Sequence, residues 1–165
     1  MPLGLGECWH SVIDALERLI PIYERVNRVI SFGKAFSYRL EGVLNGVKPG
    51  DFVLDAGCGP GSMGGLALER RGIRGLVFLD PLRPMLKMAY SRFGGDCVMG
   101  VFEYLPFRDC IFDAVLCGFS LRDALNMDAA LLELARVLRI GGRLVVVDLG
   151  KPDGRLSRWV VGLYW

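Results

Sequence analysis

Val53-Leu54-Asp55-Ala56-Gly57-Cys58-Gly59-Pro60-Gly61 is a short apolar run that breaks into alternating glycines. With Phe52 before it, the run reads as a buried strand that ends in a tight turn and passes into a helix reaching Arg71. Glycine suits such a turn because the backbone must reverse sharply and let a ligand approach with no Cβ in the way. The helix that follows offers unsatisfied N–H groups in its first turn.

Downstream the same rhythm repeats. Leu76-Val77-Phe78-Leu79 reads as a strand ending at Asp80, Pro84 to Phe93 as a helix, and Cys97-Val98-Met99 as a weaker strand. Phe112 to Gly118 reads as a strong strand, Ala129 to Leu138 as an amphipathic helix, and Leu144-Val145-Val146-Val147 as the last strand. Strands alternating with helices of this length predict an α/β fold: a doubly wound, mostly parallel sheet of about five strands with helices on both faces. Upstream, Trp9, Val12, Ile13, Leu16, Leu19 and Ile20 recur at helical spacing. Pro21 interrupts them, and Tyr23, Val26, Val29 and Ile30 resume the stripe. A short helix from about Ala35 to Leu44 leads into the turn Lys48-Pro49-Gly50-Asp51. The 165 residues read as one domain, with a helical cap over 1–47 and a core over 48–165.

Composition narrows the classes. A net charge of +2 is too small to argue for nucleic acid. From Arg136 onward six basic residues face two acidic ones, which fits a solvated basic edge or a peripheral contact with an anionic membrane surface. No uncharged stretch reaches the length of a membrane span. Five scattered cysteines without C-x-x-C spacing predict a reduced, cytoplasmic chain. With His10 the only histidine, no metal site is expected.

Asp80 lies 23 residues after Gly57, at the end of the second predicted strand, where an acid accepts both hydroxyls of a ribose. The loop and Asp80 together predict an adenosine-type cofactor. Gly59-Pro60-Gly61-Ser62-Met63-Gly64 also satisfies the dinucleotide pattern G-x-G-x-x-G, so a nicotinamide-dependent oxidoreductase stands as an alternative. Asp55 weighs against it: a carboxylate beside the loop suits a cationic amino-acid end and repels a pyrophosphate. A glycine loop that merely closes a turn is the remaining reading.

Three motifs carry a resemblance. The string from Val53 to Gly61 resembles the first motif of the Rossmann-like S-adenosylmethionine-dependent methyltransferases. Leu105-Pro106-Phe107-Arg108-Asp109-Cys110-Ile111-Phe112-Asp113 resembles their LPF-x-D-x-x-FD segment, and Glu133 to Leu144 matches their E-x-x-RVL-x-x-GG-x-L run. The stretch Tyr23 to Gly33, the loop Gly118-Phe119-Ser120-Leu121-Arg122-Asp123 and the strand exit Asp148-Leu149-Gly150-Lys151-Pro152 are similar to the ubiquinone/menaquinone-biosynthesis C-methyltransferases.

The resemblance implies S-adenosylmethionine as cofactor, S-adenosylhomocysteine as product, and a small-molecule methyl acceptor, a quinol or phenolic ring carbon. It implies that Gly57, Cys58, Gly59 and Gly61 lie against the methionine end and that Asp80 holds the ribose. Pro81 and Leu82 would cover the adenine, Val101 and Phe102 its edge, and Gly118 would face the sulfonium. Tyr23, Asn27, Arg122 and Asp123 are the candidates for the acceptor's pocket; no catalytic base is identified.

The sequence also departs from the family. Val101 stands where a polar side chain usually accepts from the adenine amino group, Phe102 replaces a small residue, and Asp123 replaces an asparagine. Glu103 is either a surface residue or a partial substitute for the missing acceptor. The family carries two more strands after the fifth, which leaves Leu144 to Val147 as an apolar edge and predicts a homodimer. A cofactor-binding module without turnover is the second functional reading.

Overall fold

The computed structural model describes residues 8–22, 25, 29, 31 and 33–148. Helix α1 (Trp9–Leu19) passes into a 3-10 turn (Ile20–Ile22) at Pro21, which has no N–H to continue the helix. Helix α2 (Ala35–Gly46) leads to β1 (Phe52–Ala56), α3 (Ser62–Arg71), β2 (Gly75–Asp80) and α4 (Arg83–Phe93). Then come β3 (Asp96–Met99), β4 (Phe112–Gly118), a 3-10 turn (Leu121–Asp123), α5 (Met127–Val137) and β5 (Leu138–Val147). Tyr23, Asn27 and residues 149–165 lie outside the described residues.

The strands form one parallel sheet in the order β3-β2-β1-β4-β5. The fold is the doubly wound α/β sheet that the alternating pattern predicts. Strand order reverses between β1 and β4, where such a sheet opens a crevice at its carboxyl ends.

Alternate side chains feed two cores. Leu54, Val77, Phe112 and Val115 pack with Ala130, Leu134 and Val137 of α5 on one face. Val53, Phe78 and Leu116 pack with Val43 of α2, Ala67 of α3 and Ala89 of α4 on the other. The helix ends are set by local chemistry. Gly61 and Gly72 flank α3 in the left-handed conformation, and the Asn126 side chain caps α5 by accepting from the Ala129 N–H at 3.1 Å.

The last strand is longer than the apolar run suggests. It begins at Leu138, opposite Phe112, and its register then shifts so that Arg143 faces Ala114. The residues between form a bulge with Gly141 at φ 78° and Ile140 fully exposed. Beyond it, Val145 and Val147 meet α2 at Gly42 and Gly46, where a Cβ would collide with them. Leu144 and Val146 stay partly open, at 37% and 45% exposure.

Candidate functional site

The loop after β1 keeps Gly57, Gly59 and Gly61 at φ of 63°, 53° and 79°, a region that side-chain-bearing residues rarely adopt. A Cβ on Gly57 would come within 2.6 Å of Ser120 Cβ and Oγ and 2.8 Å of Phe102 Cζ. The loop is tied to β2 twice. The Cys58 N–H donates to the Leu79 carbonyl at 3.0 Å, and the Gly59 N–H donates to Asp80 Oδ2 at 2.8 Å. Asp80 Oδ1 accepts from the Leu82 N–H at 2.9 Å. Burial pushes Asp80 up to about 6 even though these two N–H groups oppose the shift.

Asp55 is buried behind this loop. Its Oδ2 accepts from the Gly64 N–H at 2.7 Å, and its Oδ1 has no hydrogen-bond partner. Burial pushes its carboxyl up to about 7, with the Gly64 N–H and the nearby Arg39 charge pulling the other way. Cys58 is buried, its thiol donating to the Gly59 carbonyl at 3.3 Å, and burial raises its pKa well beyond that of an ordinary thiol. It packs the loop and is no nucleophile.

A cleft opens over these strand ends. Gly57, Gly59, Asp80, Pro81, Leu82, Val101 and Phe102 line it. Asp123 also borders it, whereas Asp55, Cys58, Gly61 and Gly118 do not line it. The Gly118 position faces inward: a Cβ there would lie 3.0 Å from Met63 Sδ. Arg122 is paired with Asp148 at 3.1 Å. Burial raises Asp123, Arg122 opposes that shift and Asp148 adds to it.

Three features escape a reading by motif. Trp9 and Ile13 of α1 line the cleft, although their spacing signals only an amphipathic helix. Phe119, directly after β4, lines it with φ at 63°. Glu103 is buried and accepts from the Asn126 N–H at 2.9 Å, which removes the surface reading of this residue. Among the described residues no cluster suited to a metal ion occurs, and no helix is long and apolar enough to cross a membrane.

Residues 54–146 match the methyltransferase domain family. The chain belongs to that family. It is 33% identical over 162 residues to a 2-phytyl-1,4-naphtoquinone methyltransferase of Synechocystis, covering 90% of this chain and 68% of that one. It is 34% identical over 151 residues to a ubiquinone/menaquinone biosynthesis C-methyltransferase of Shewanella, covering 86% and 60%. Among solved structures, a SAM-dependent methyltransferase of Thermotoga maritima superposes with a TM-score of 0.64 at 27% identity, covering 85% of this chain and 61% of that one. The chain thus spans 60 to 68% of the length of these two curated relatives. Membership in this family removes the ground for the nicotinamide alternative.

Proposed function

We propose that this methyltransferase domain binds S-adenosylmethionine across the carboxyl ends of β1, β2 and β4 and transfers its methyl group to a small-molecule acceptor of the quinol type. The observation that carries the reading is the buried Asp80 carboxylate, bordering the cleft while holding the glycine loop through Gly59. A carboxylate has about four acceptor sites. Two are used by Gly59 and Leu82, and the remainder suit the hydroxyls of a ribose. The unpartnered Asp55 Oδ1 suits a cationic amino group, and the bare α-carbon of Gly57 leaves room for the cofactor backbone.

When bound, the cofactor supplies a methyl group on a cationic sulfur. The protein then has to align the acceptor and exclude water. Leu79, Leu82, Met85 and Phe119 give the cleft apolar walls, and Trp9 and Ile13 extend them from α1. Pro81, Leu82, Val101 and Phe102 are assigned to the adenine, and Gly57, Cys58, Gly59, Gly61 and Gly118 to the backbone around the methionine end. Arg122 and Asp123 are assigned to the acceptor side, where the half-buried Asp123 carboxylate would accept a hydroxyl proton. The quinol-type acceptor is supported by the naphthoquinone and ubiquinone/menaquinone methyltransferases among the chain's relatives.

A binding module without turnover is the second reading, favoured by Phe102, whose ring reaches the inner side of Gly57. Calorimetric titration with S-adenosylmethionine, S-adenosylhomocysteine and NADH tests the cofactor. Binding of the first two at micromolar concentration and not of the third is expected, and absence of all binding overturns the proposal. Transfer of labelled methyl to a reduced naphthoquinone then separates enzyme from binding module.

A further inference from the structure

The bare face of Gly57 is met by two side chains from different parts of the chain. The point that a Cβ on Gly57 would occupy lies 2.6 Å from Ser120 Cβ and Oγ and 2.8 Å from Phe102 Cζ. Ser120 follows β4, and Phe102 sits in the turn after β3. All three residues line the cleft. The two side chains thus converge on one point beside the first glycine of the loop, and the room left by the missing Cβ is bounded by both.

Both side chains are held in place. The Ser120 hydroxyl donates to the Ala56 carbonyl at 3.2 Å, which ties it to the end of β1. Its backbone carbonyl accepts from the Asp123 N–H at 3.0 Å. Phe102 is buried and belongs to the apolar cluster of Ala56, Leu105, Leu121 and Ala124. Its turn is closed by the Tyr104 N–H, which donates to the Val101 carbonyl at 3.3 Å. Glu103 pins the same turn by accepting from the Asn126 N–H at 2.9 Å. Close-packed side chains give way little to an added methylene. The narrow place is therefore built into the fold, and a ligand lying along Gly57 has to fit the space these two residues leave.

We propose that Phe102 and Ser120 are specificity-determining residues that limit the alkyl group on the cofactor's sulfonium to methyl. The proposal rests on the S-adenosylmethionine reading above, which lays the methionine end of the cofactor along Gly57. The third substituent on the sulfur then competes with both side chains for room. One methylene too many in a tight apolar pocket is rejected by about 10- to 200-fold. Phe102 supplies the apolar side of that limit. Ser120 spends its one proton on the Ala56 carbonyl, which leaves its oxygen lone pairs for a cation. Phe102 stands where the family pattern has a small residue, so the limit belongs to this chain and not to the fold at large.

The test is calorimetric, on the full chain, with S-adenosylmethionine, its ethyl homologue S-adenosylethionine, and S-adenosylhomocysteine, which has no third group on sulfur. The readout is the ratio of affinities for the methyl and ethyl ligands, so that a general loss of binding in a variant cancels. The wild-type chain is expected to prefer the methyl ligand by about tenfold or more. Ser120→Gly and Phe102→Leu each remove bulk at the narrow place and should bring the ratio below about threefold. Thermal melting establishes that each variant is folded, and Ser120→Gly, which lies outside the apolar cluster, decides the matter if the Phe102 variant does not fold. A folded Ser120→Gly chain that keeps the wild-type ratio overturns the proposal. A wild-type chain that binds the methyl and ethyl ligands equally overturns it too, while the S-adenosylmethionine reading stands. A wild-type chain that binds none of the three ligands overturns that reading and the proposal with it.

Discussion

Asp80 Oδ2 accepts the Gly59 N–H at 2.8 Å, so one buried carboxylate fixes the glycine loop to the end of the neighbouring strand. Burial raises Asp80 from 3.8 to about 6 and Asp55 from 3.8 to about 7. Each group therefore binds its proton more tightly in the folded chain than in the unfolded one. The stability each contributes is fully present below about pH 3.8 and is lost as pH rises through 6 for Asp80 and 7 for Asp55. Urea midpoints of the ligand-free chain between pH 4.5 and 7.5 should include a fall from these two groups. Asp80→Asn should flatten its lower part and Asp55→Asn its upper part. If both variants keep the wild-type pH dependence, the assignment is wrong.

The run Glu133-Leu134-Ala135-Arg136 has a structural job, visible only once the chain is folded. Arg136 Nη2 donates to the Leu105 carbonyl at 3.0 Å and Nη1 to the Phe107 carbonyl at 2.8 Å, while Glu133 Oε2 accepts from the Leu105 N–H at 2.9 Å. The pair clamps the segment after Val101 and Phe102 against α5. Arg136→Ala leaves these carbonyls without the guanidinium and should cost about 1.5–3 kcal/mol. It should also weaken cofactor binding, because that segment follows directly on Val101, Phe102 and Glu103, which line the cleft. Chemical denaturation and calorimetry on the same variant check both effects; Arg136→Lys should recover only part of the loss, since lysine lacks the fork.

The periodic features were legible in the sequence. Every strand appears where an apolar run stands, and the glycine loop falls at the strand end because its spacing is a local property. What was hidden depends on contacts between distant segments. Glu103 reads as a surface residue until Asn126, 23 residues on, brings its N–H to it. Arg39 carries no motif, and only the fold brings its guanidinium over the Phe119 ring, 80 residues on. The basic excess from Arg136 onward is another such case: Arg136, Arg139 and Arg143 are paired with Glu133, Asp113 and Asp51, so three of the six cations are already answered within the fold. That shifts the balance away from a membrane contact for these three.

Arg122 stands beside Asp123 on the turn after β4, paired with Asp148 at 3.1 Å. If this turn orients the acceptor, Arg122→Ala should lower kcat well below that of the wild type while cofactor affinity stays within about twofold. Equal loss of turnover and cofactor binding would assign Arg122 to the fold of the turn instead. The comparison needs single-turnover rates and a binding titration under the same conditions.

Among the described residues, strand β5 lies at the edge of the sheet with Leu144 and Val146 partly exposed, at 37% and 45%. Apolar edges invite pairing with another chain. A homodimer is expected at micromolar concentration by sedimentation velocity, and Val146→Lys should shift it toward monomer. A wild-type chain that stays monomeric throughout that range removes self-association from the account.

Val101 borders the cleft and has no side-chain acceptor to offer an adenine amino group. Val101→Asp places one there. A recovered hydrogen bond is worth about 1 kcal/mol, so S-adenosylhomocysteine should bind about five- to tenfold tighter. The inosine analogue, S-inosylhomocysteine, presents a carbonyl at the same ring position and should gain nothing, because two acceptors cannot pair. Running both ligands against both proteins isolates the one interaction. Tightening of the adenosine ligand alone places the adenine edge at Val101. Equal changes for both ligands would mean that the new charge acts through the general field of the cleft, and the adenine would then have to be assigned to another wall.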